Sequence, residues 1–133
     1  MNILLIGSKI TLRKISEEIA EKVERINFLD TTTNNFLNWG LSKTKKINYY
    51  SGDIAKIDTL INAGLNDSDI IIVHSENDME SLFIAQKSKI NANSSIFVIL
   101  EDLSLAEIFE SLGFIIFDSH NLKITRLLNK LGN

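Results

Sequence analysis

The first thirty residues, MNILLIGSKITLRKISEEIAEKVERINFLD (1–30), decide the fold. Asn2–Ile6 is a continuous apolar run closed by Gly7. A run this short, apolar on both faces and ended by glycine, reads as a buried parallel strand. Leu12, Ile15, Ile19, Ala20 and Val23 then recur at helical spacing, with Arg13, Lys14, Glu17, Glu18 and Glu21 between them. Ile26–Asp30 is a second strand candidate. The unit is strand, glycine turn, helix, strand.

The same alternation continues to the end. Thr31–Gly40 reads as polar and then helical through Phe36, Leu37 and Trp39, with Gly40 as its C-cap. Ile47–Tyr50 is β-rich, and Ile54–Ala63 is helical up to Gly64. Ile70–His74 is the strongest buried strand, and Met79–Lys89 follows as a helix behind the capping-box spacing Ser75-x-x-Asp78. Ile96–Leu100 is a fifth strand. Ser104-x-x-Glu107 has the spacing to open a helix that Gly113 ends, and Phe114–Phe117 is a sixth strand. Asn121–Leu131 is a last amphipathic helix on Leu122, Ile124, Leu127, Leu128 and Leu131, whose stripe is a candidate dimer surface if the sheet does not cover it. Parallel strands need helical crossovers. The expected fold is therefore α/β: one Rossmann-type, doubly wound domain over 1–133, with a six-stranded, mainly parallel sheet and helices on both faces.

Composition narrows the function classes. The 133 residues are 44% apolar and 23% charged, with a net charge of −3. No apolar run approaches the roughly 18–20 residues of a membrane span, and the start lacks a signal-peptide pattern. The chain has no cysteine, so thiolate metal sites and disulfides are excluded. These features point to a cytoplasmic protein with no direct membrane insertion. The densest basic cluster, Lys43, Lys45 and Lys46, reads as a solvated loop rather than a nucleic-acid patch.

In an open parallel sheet, ligands bind beyond the carboxyl ends of the strands. The residues to weigh there are Gly7 to Leu12, Asp30, Gly52-Asp53 and Ser75. A dinucleotide loop, G-x-G-x-x-G, uses its glycines for a tight turn, close backbone approach to pyrophosphate, and helix–strand packing. Here the loop is Gly7-Ser8-Lys9-Ile10-Thr11-Leu12, so only the first glycine stands. Asp30 ends the second strand at about the spacing (roughly 20 residues) of an acid that holds a ribose. Taken by itself it reads more readily as a helix cap or turn residue after a strand. Lys9 reads either as a phosphate partner or as a side chain filling the phosphate space. The two histidines, His74 and His120, have no companion set for zinc. Ser75 reads as a cap rather than a nucleophile, so no enzymatic site is expected.

Ser51-Gly52-Asp53 through Ile72 is the most specific stretch. Its glycine–aspartate pair, Ala63-Gly64-Leu65 and the acidic turn Asp67–Asp69 resemble the TrkA-type amino-terminal (KTN/RCK) domain of potassium-transport regulators. Downstream, Asp78, Leu82, Glu101-Asp102, Phe109, Leu112 and Gly113 fit the same pattern. The resemblance implies a regulatory module that binds NAD or an adenine nucleotide, forms a homodimer, and acts on a membrane potassium transporter or channel without turning the nucleotide over. Carried onto this chain, it implies that Gly7 and Ser8 begin the phosphate loop. Asp30 with Thr31 would meet the ribose, Asp53 and Ile54 would flank the adenine, and Ser75 would lie near the phosphates. Lys9, Leu12, Val23 and Ser81 depart from the pattern, and no basic residue ends the fifth strand. Each departure falls on phosphate handling or close packing. Binding is accordingly expected to be weak or altered. The alternative is a scaffold that binds protein and no nucleotide.

Overall fold

The computed structural model describes residues 1–39 and 46–131. Its strands are β1 (Asn2–Ile6), β2 (Arg25–Asp30), β3 (Ile47–Ser51), β4 (Ile70–Val73), β5 (Ser95–Leu100) and β6 (Ile115–Asp118). They form one sheet in the order β3-β2-β1-β4-β5-β6, and every pairing is parallel. The helices are α1 (Ile10–Ile19), α2 (Ile57–Asn62), α3 (Asp78–Asn91), α4 (Ala106–Ser111) and α5 (Ile124–Leu131). The chain steps outward from β1 to β3, then returns to place β4 on the other side of β1. The strand order reverses at the β1/β4 seam, which is where an open sheet of this kind forms a crevice.

The unbroken apolar strands follow from burial on both faces. Ile3 and Leu5 point into one core with Phe28, Ile72, Phe97 and Ile99. That core receives Leu12, Ile15 and Ile19 from α1 and Leu127 and Leu131 from α5. Leu4 and Ile6 point into the other core, with Leu29, Ile71, Val73 and Val98. Leu60 of α2 and Leu82 and Ala85 of α3 cover that side. Fully burying one such side chain stabilises the fold by roughly 1.5–3 kcal/mol, so the central strands are fixed from both sides.

Several local expectations change. The helix expected over Thr31–Gly40 is a 3-10 turn at Thr33–Phe36, and Gly40 lies outside the described residues. Three residues per turn bring Phe36 and Trp39 to one side. Their rings meet at 4.9 Å and pack around Phe28, which Trp39 meets edge-on at 5.1 Å. Leu37 points away and is exposed. Aromatic docking on β2 therefore replaces an amphipathic helix face. The leucine stripe of α5 is not free, because Leu127 and Leu131 are buried against the sheet and Ile124 and Leu128 are half-buried.

Both expected capping boxes also move. Ser75 does not cap α3. Asn77 does, its side-chain oxygen accepting from the Glu80 N–H at 2.8 Å. Ser75 is buried instead, its Oγ 2.9 Å from Ser81 Oγ. Ser104 caps nothing either. It sits inside a 3-10 turn, and its N–H and hydroxyl both donate to Asp102, at 2.9 and 2.6 Å. In both places an Asn or Asp just outside the helix, in extended conformation, offers the better acceptor.

Asn77→Ala should lower stability by about 1 kcal/mol, whereas Ser104→Ala should cost roughly a few tenths. Thermal unfolding of the two variants checks this, and equal losses would contradict the assignment of the cap.

Candidate nucleotide-binding edge

The ends of β1, β2, β3 and β4 and the loops after them line one edge of the sheet, and they carry Gly7, Ser8, Asp30, Thr31, Asp53, Ile54 and Ser75. Backbone bonds set their spacing. The Gly7 N–H donates to Leu29 O at 2.8 Å, Gly52 N–H to Asp30 O at 3.2 Å, and His74 N–H to Ile6 O at 3.0 Å. Gly7 has φ +122°, and a Cβ built there would lie 2.0 Å from the carbonyl oxygen of His74. The seam therefore demands glycine twice, for its backbone angle and for its missing side chain.

Ser8 and Lys9 lead into α1, whose first turn carries no acidic residue and no side-chain cap. Its positive dipole end is left uncompensated by side chains there. Lys9 Nζ stands 3.6 Å from Glu76 Oε2, an ion pair that joins the β1 loop to the β4 loop. Leu12 is fully buried in the core beneath.

Asp30 is nearly buried. Its Oδ1 accepts from the Thr31 N–H at 2.8 Å and its Oδ2 from Asn35 Nδ2 at 2.9 Å. A carboxylate has about four acceptor positions, so two remain for a ligand hydroxyl. Thr31 is exposed beside it. Asp53 is exposed as well, and its Oδ1 accepts from the Ala55 N–H at 3.0 Å, which shapes the turn into α2. Ile54 is only 4% exposed and packs in the second core, so it offers little surface to a base.

The sequence reading missed a polar relay across the other half of the edge. Thr11 Oγ1 lies 2.5 Å from His74 Nδ1, and His74 Nε2 lies 2.9 Å from Glu101 Oε1. Glu101 Oε2 accepts from Ser119 Oγ at 2.6 Å and faces His120 Nε2 at 3.2 Å. The Ser119 hydroxyl, and then the His74 imidazole, hold the Glu101 carboxyl below its usual range. An ionised Glu101 only accepts, so His74 Nε2 carries the proton. With the proton on Nε2, Nδ1 accepts a hydrogen bond from the Thr11 hydroxyl. One chain of hydrogen bonds thus ties the start of α1 to the ends of β4, β5 and β6. The available signal was register, because His74 and Glu101 each follow one of two neighbouring strands directly. Among the described residues no group of three His, Cys, Asp or Glu side chains is arranged to hold a metal.

The TrkA-N domain family matches residues 3–120, which include all the loops of this edge. The chain belongs to that family. A search among curated proteins finds no match. Solved structures with this fold include the TrkA-N domain of the inner membrane protein ybaL from Escherichia coli. It is 16% identical, with a TM-score of 0.72, and the likeness covers 99% of this chain and 96% of that one. The NAD(P)-binding domain of an exopolyphosphatase-related protein from Archaeoglobus fulgidus is 13% identical, with a TM-score of 0.72 and coverage of 98% and 96%. The GsuK channel bound to NAD is 11% identical with a TM-score of 0.71; the likeness covers 87% of this chain and 21% of the channel chain. This TrkA-N chain thus spans about a fifth of the GsuK channel chain. The family match ends at His120, ahead of α5.

Gly7→Ala should destabilise the TrkA-N domain by about 3 kcal/mol or more, read by chemical denaturation, because backbone must move to admit the methyl group. Glu101 gives a pH test. Its pKa is lower in the folded chain than its ordinary value of 4.5. Its contribution is therefore complete above that ordinary value and is lost as pH falls through the lowered one. Glu101→Ala should cost about 1 kcal/mol at pH 7, tempered by the exposure of the group, and the deficit should shrink as pH falls below the ordinary value of 4.5. A deficit that stays constant from pH 7 down to the acid end of the folded range would show that the carboxylate's charge is not what the relay uses.

Proposed function

We propose that this TrkA-N domain is a cytoplasmic regulatory module of a potassium uptake or channel system, and that it binds an adenine nucleotide weakly. The observation that carries the reading is Asp30. It ends β2 with two acceptor positions free, between the glycine turn of β1 and the Gly52-Asp53 turn of β3. That half of the edge keeps what an adenosine needs: a carboxylate for the ribose and the exposed Thr31 and Asp53 around it. Gly7, Ser8 and the uncompensated start of α1 would take one phosphate. Ser75, buried against Ser81, supports the β4 loop from beneath and would reach a phosphate only if that loop shifts. In this reading the nucleotide is a signal and is not turned over. NAD-type ligands remain candidates, and the GsuK channel, whose solved structure is bound to NAD, supports that direction. A homodimer completes the module.

The pyrophosphate half is altered. Lys9 replaces the second loop glycine and is paired with Glu76, and the Thr11–His74 bond crosses the same seam. A dinucleotide would have to part the ion pair, and the side chain of Lys9 stands where the family's loop needs none. Mononucleotides should therefore bind at least as well as NAD. The same contacts favour a second reading, in which the crevice is stitched shut and the domain works through protein contacts without nucleotide.

Calorimetry with NAD, NADH, ATP, ADP and AMP separates the two. AMP or ADP should bind with a dissociation constant of about 100 μM, roughly −5.5 kcal/mol. Asp30→Ala should abolish the heat, and Glu76→Gln, by freeing Lys9, should tighten phosphate-bearing ligands several-fold. No heat from any of the five with the folded protein would sink the nucleotide reading and leave the protein-contact one.

A further inference from the structure

The buried titratable group that the proposed site does not use is His74. It is 3% exposed, at the end of β4, one hydrogen bond from the start of α1. Thr11 Oγ1 of α1 meets its Nδ1 at 2.5 Å. The charged group in contact with the ring is Glu101, after β5, at 2.9 Å from Nε2. The other oxygen of Glu101 carries the Ser119 hydroxyl and faces His120 Nε2, both from the turn after β6. Asp78 of α3 accepts the N–H groups of Glu101 and Asp102, each at 2.9 Å. Lys9 and Glu76, from the loops after β1 and β4, pair with each other.

The direction of the Thr11 bond depends on the charge of the ring. A neutral ring with its proton on Nε2 has one acceptor, Nδ1, and the Thr11 hydroxyl donates to it. That bond uses the one proton the hydroxyl has. An imidazolium donates from both nitrogens. Nδ1–H then donates to Thr11 Oγ1, the hydroxyl rotates about its C–O bond, and its proton turns to another acceptor. Thr11 is the second residue of α1, in the turn whose backbone N–H groups have no partner within the helix. Glu101 accepts from Nε2–H in both states, so the counter-charge for an imidazolium is already in place. We propose that a phosphate group bound at the start of α1 takes up one proton from solvent at His74. The charged ring makes the Thr11 hydroxyl a phosphate donor and sets a positive charge one hydrogen bond behind it. Linkage is reciprocal, so a phosphate that brings a proton to His74 is itself bound more tightly as pH falls. A domain built this way reports nucleotide and acidity together. The inference rests on the phosphate position proposed above and adds its regulation.

Calorimetry of AMP at about pH 7.5, in buffers of different ionisation enthalpy, should show uptake of about 0.5–1 proton per ligand bound. Affinity should rise roughly tenfold between about pH 8 and about pH 6.5. His74→Gln should remove the uptake and flatten the profile. Thr11→Val keeps the shape and loses the hydroxyl. It should weaken AMP several-fold near about pH 6.5 and little near about pH 8, and Thr11→Ser should bind like the native chain. Nitrogen NMR of the two imidazoles, with inorganic phosphate as the probe, reads the ring directly. His74 should pass from one ring N–H to two as phosphate is added at about pH 7.5. AMP that binds with no proton taken up, or with His74 still singly protonated, overturns this inference and leaves the nucleotide reading standing. Protonation of His74 by inorganic phosphate, with no binding of AMP, does the reverse. No response to either probe overturns both, and a Thr11→Val chain with native affinity near about pH 6.5 overturns the role of Thr11.

Discussion

The structure depends on the seam between β1 and β4. There the Gly7 backbone lies so close to the His74 carbonyl that only hydrogen fits between them. β1 pairs on both sides and is covered on both faces, so its position fixes β2, β4 and the two cores at once. The crevice a nucleotide would use opens at the end of this same seam. The relay through Thr11, His74 and Glu101, together with the Lys9–Glu76 pair, ties the loops at the end of this seam to one another.

The edge divides into two halves of different character. Over β2 and β3 the polar groups have spare capacity. Asp30 has free acceptor positions, and Thr31 and Asp53 are exposed. Over β4, β5 and β6 the polar groups are partnered to one another. A buried imidazole needs both nitrogens satisfied, and Thr11 and Glu101 do that for His74. The second half therefore gains stability from polar contacts made within the chain itself.

Much of the fold was legible because two-sided burial writes itself into the strands. NILLI, IIIV and SIFVIL have no polar alternation to mislead the reading, and their glycine or polar ends mark where the sheet stops. The family was legible in Gly52-Asp53, Ala63-Gly64-Leu65 and the turn to Asp69, since these lie close together in sequence. The caps were misplaced because Ser, Asn and Asp compete for the same role, and the winner depends on which backbone is extended at that point. The 3-10 turn at Thr33–Phe36 was missed because its reason, the ring of Phe28, lies outside the segment.

By itself the sequence determined the strand-helix alternation, the parallel sheet, the single loop glycine and Asp30 at the end of β2, all carried by local pattern and spacing. Tertiary structure alone decided that His74 is held between Thr11 and Glu101 and that Lys9 pairs with Glu76. The physical reason is distance along the chain. Thr11 and His74 are 63 residues apart, and His74 and Glu101 are 27 apart. No local pattern reports a contact that exists only after the sheet has brought its strand ends together.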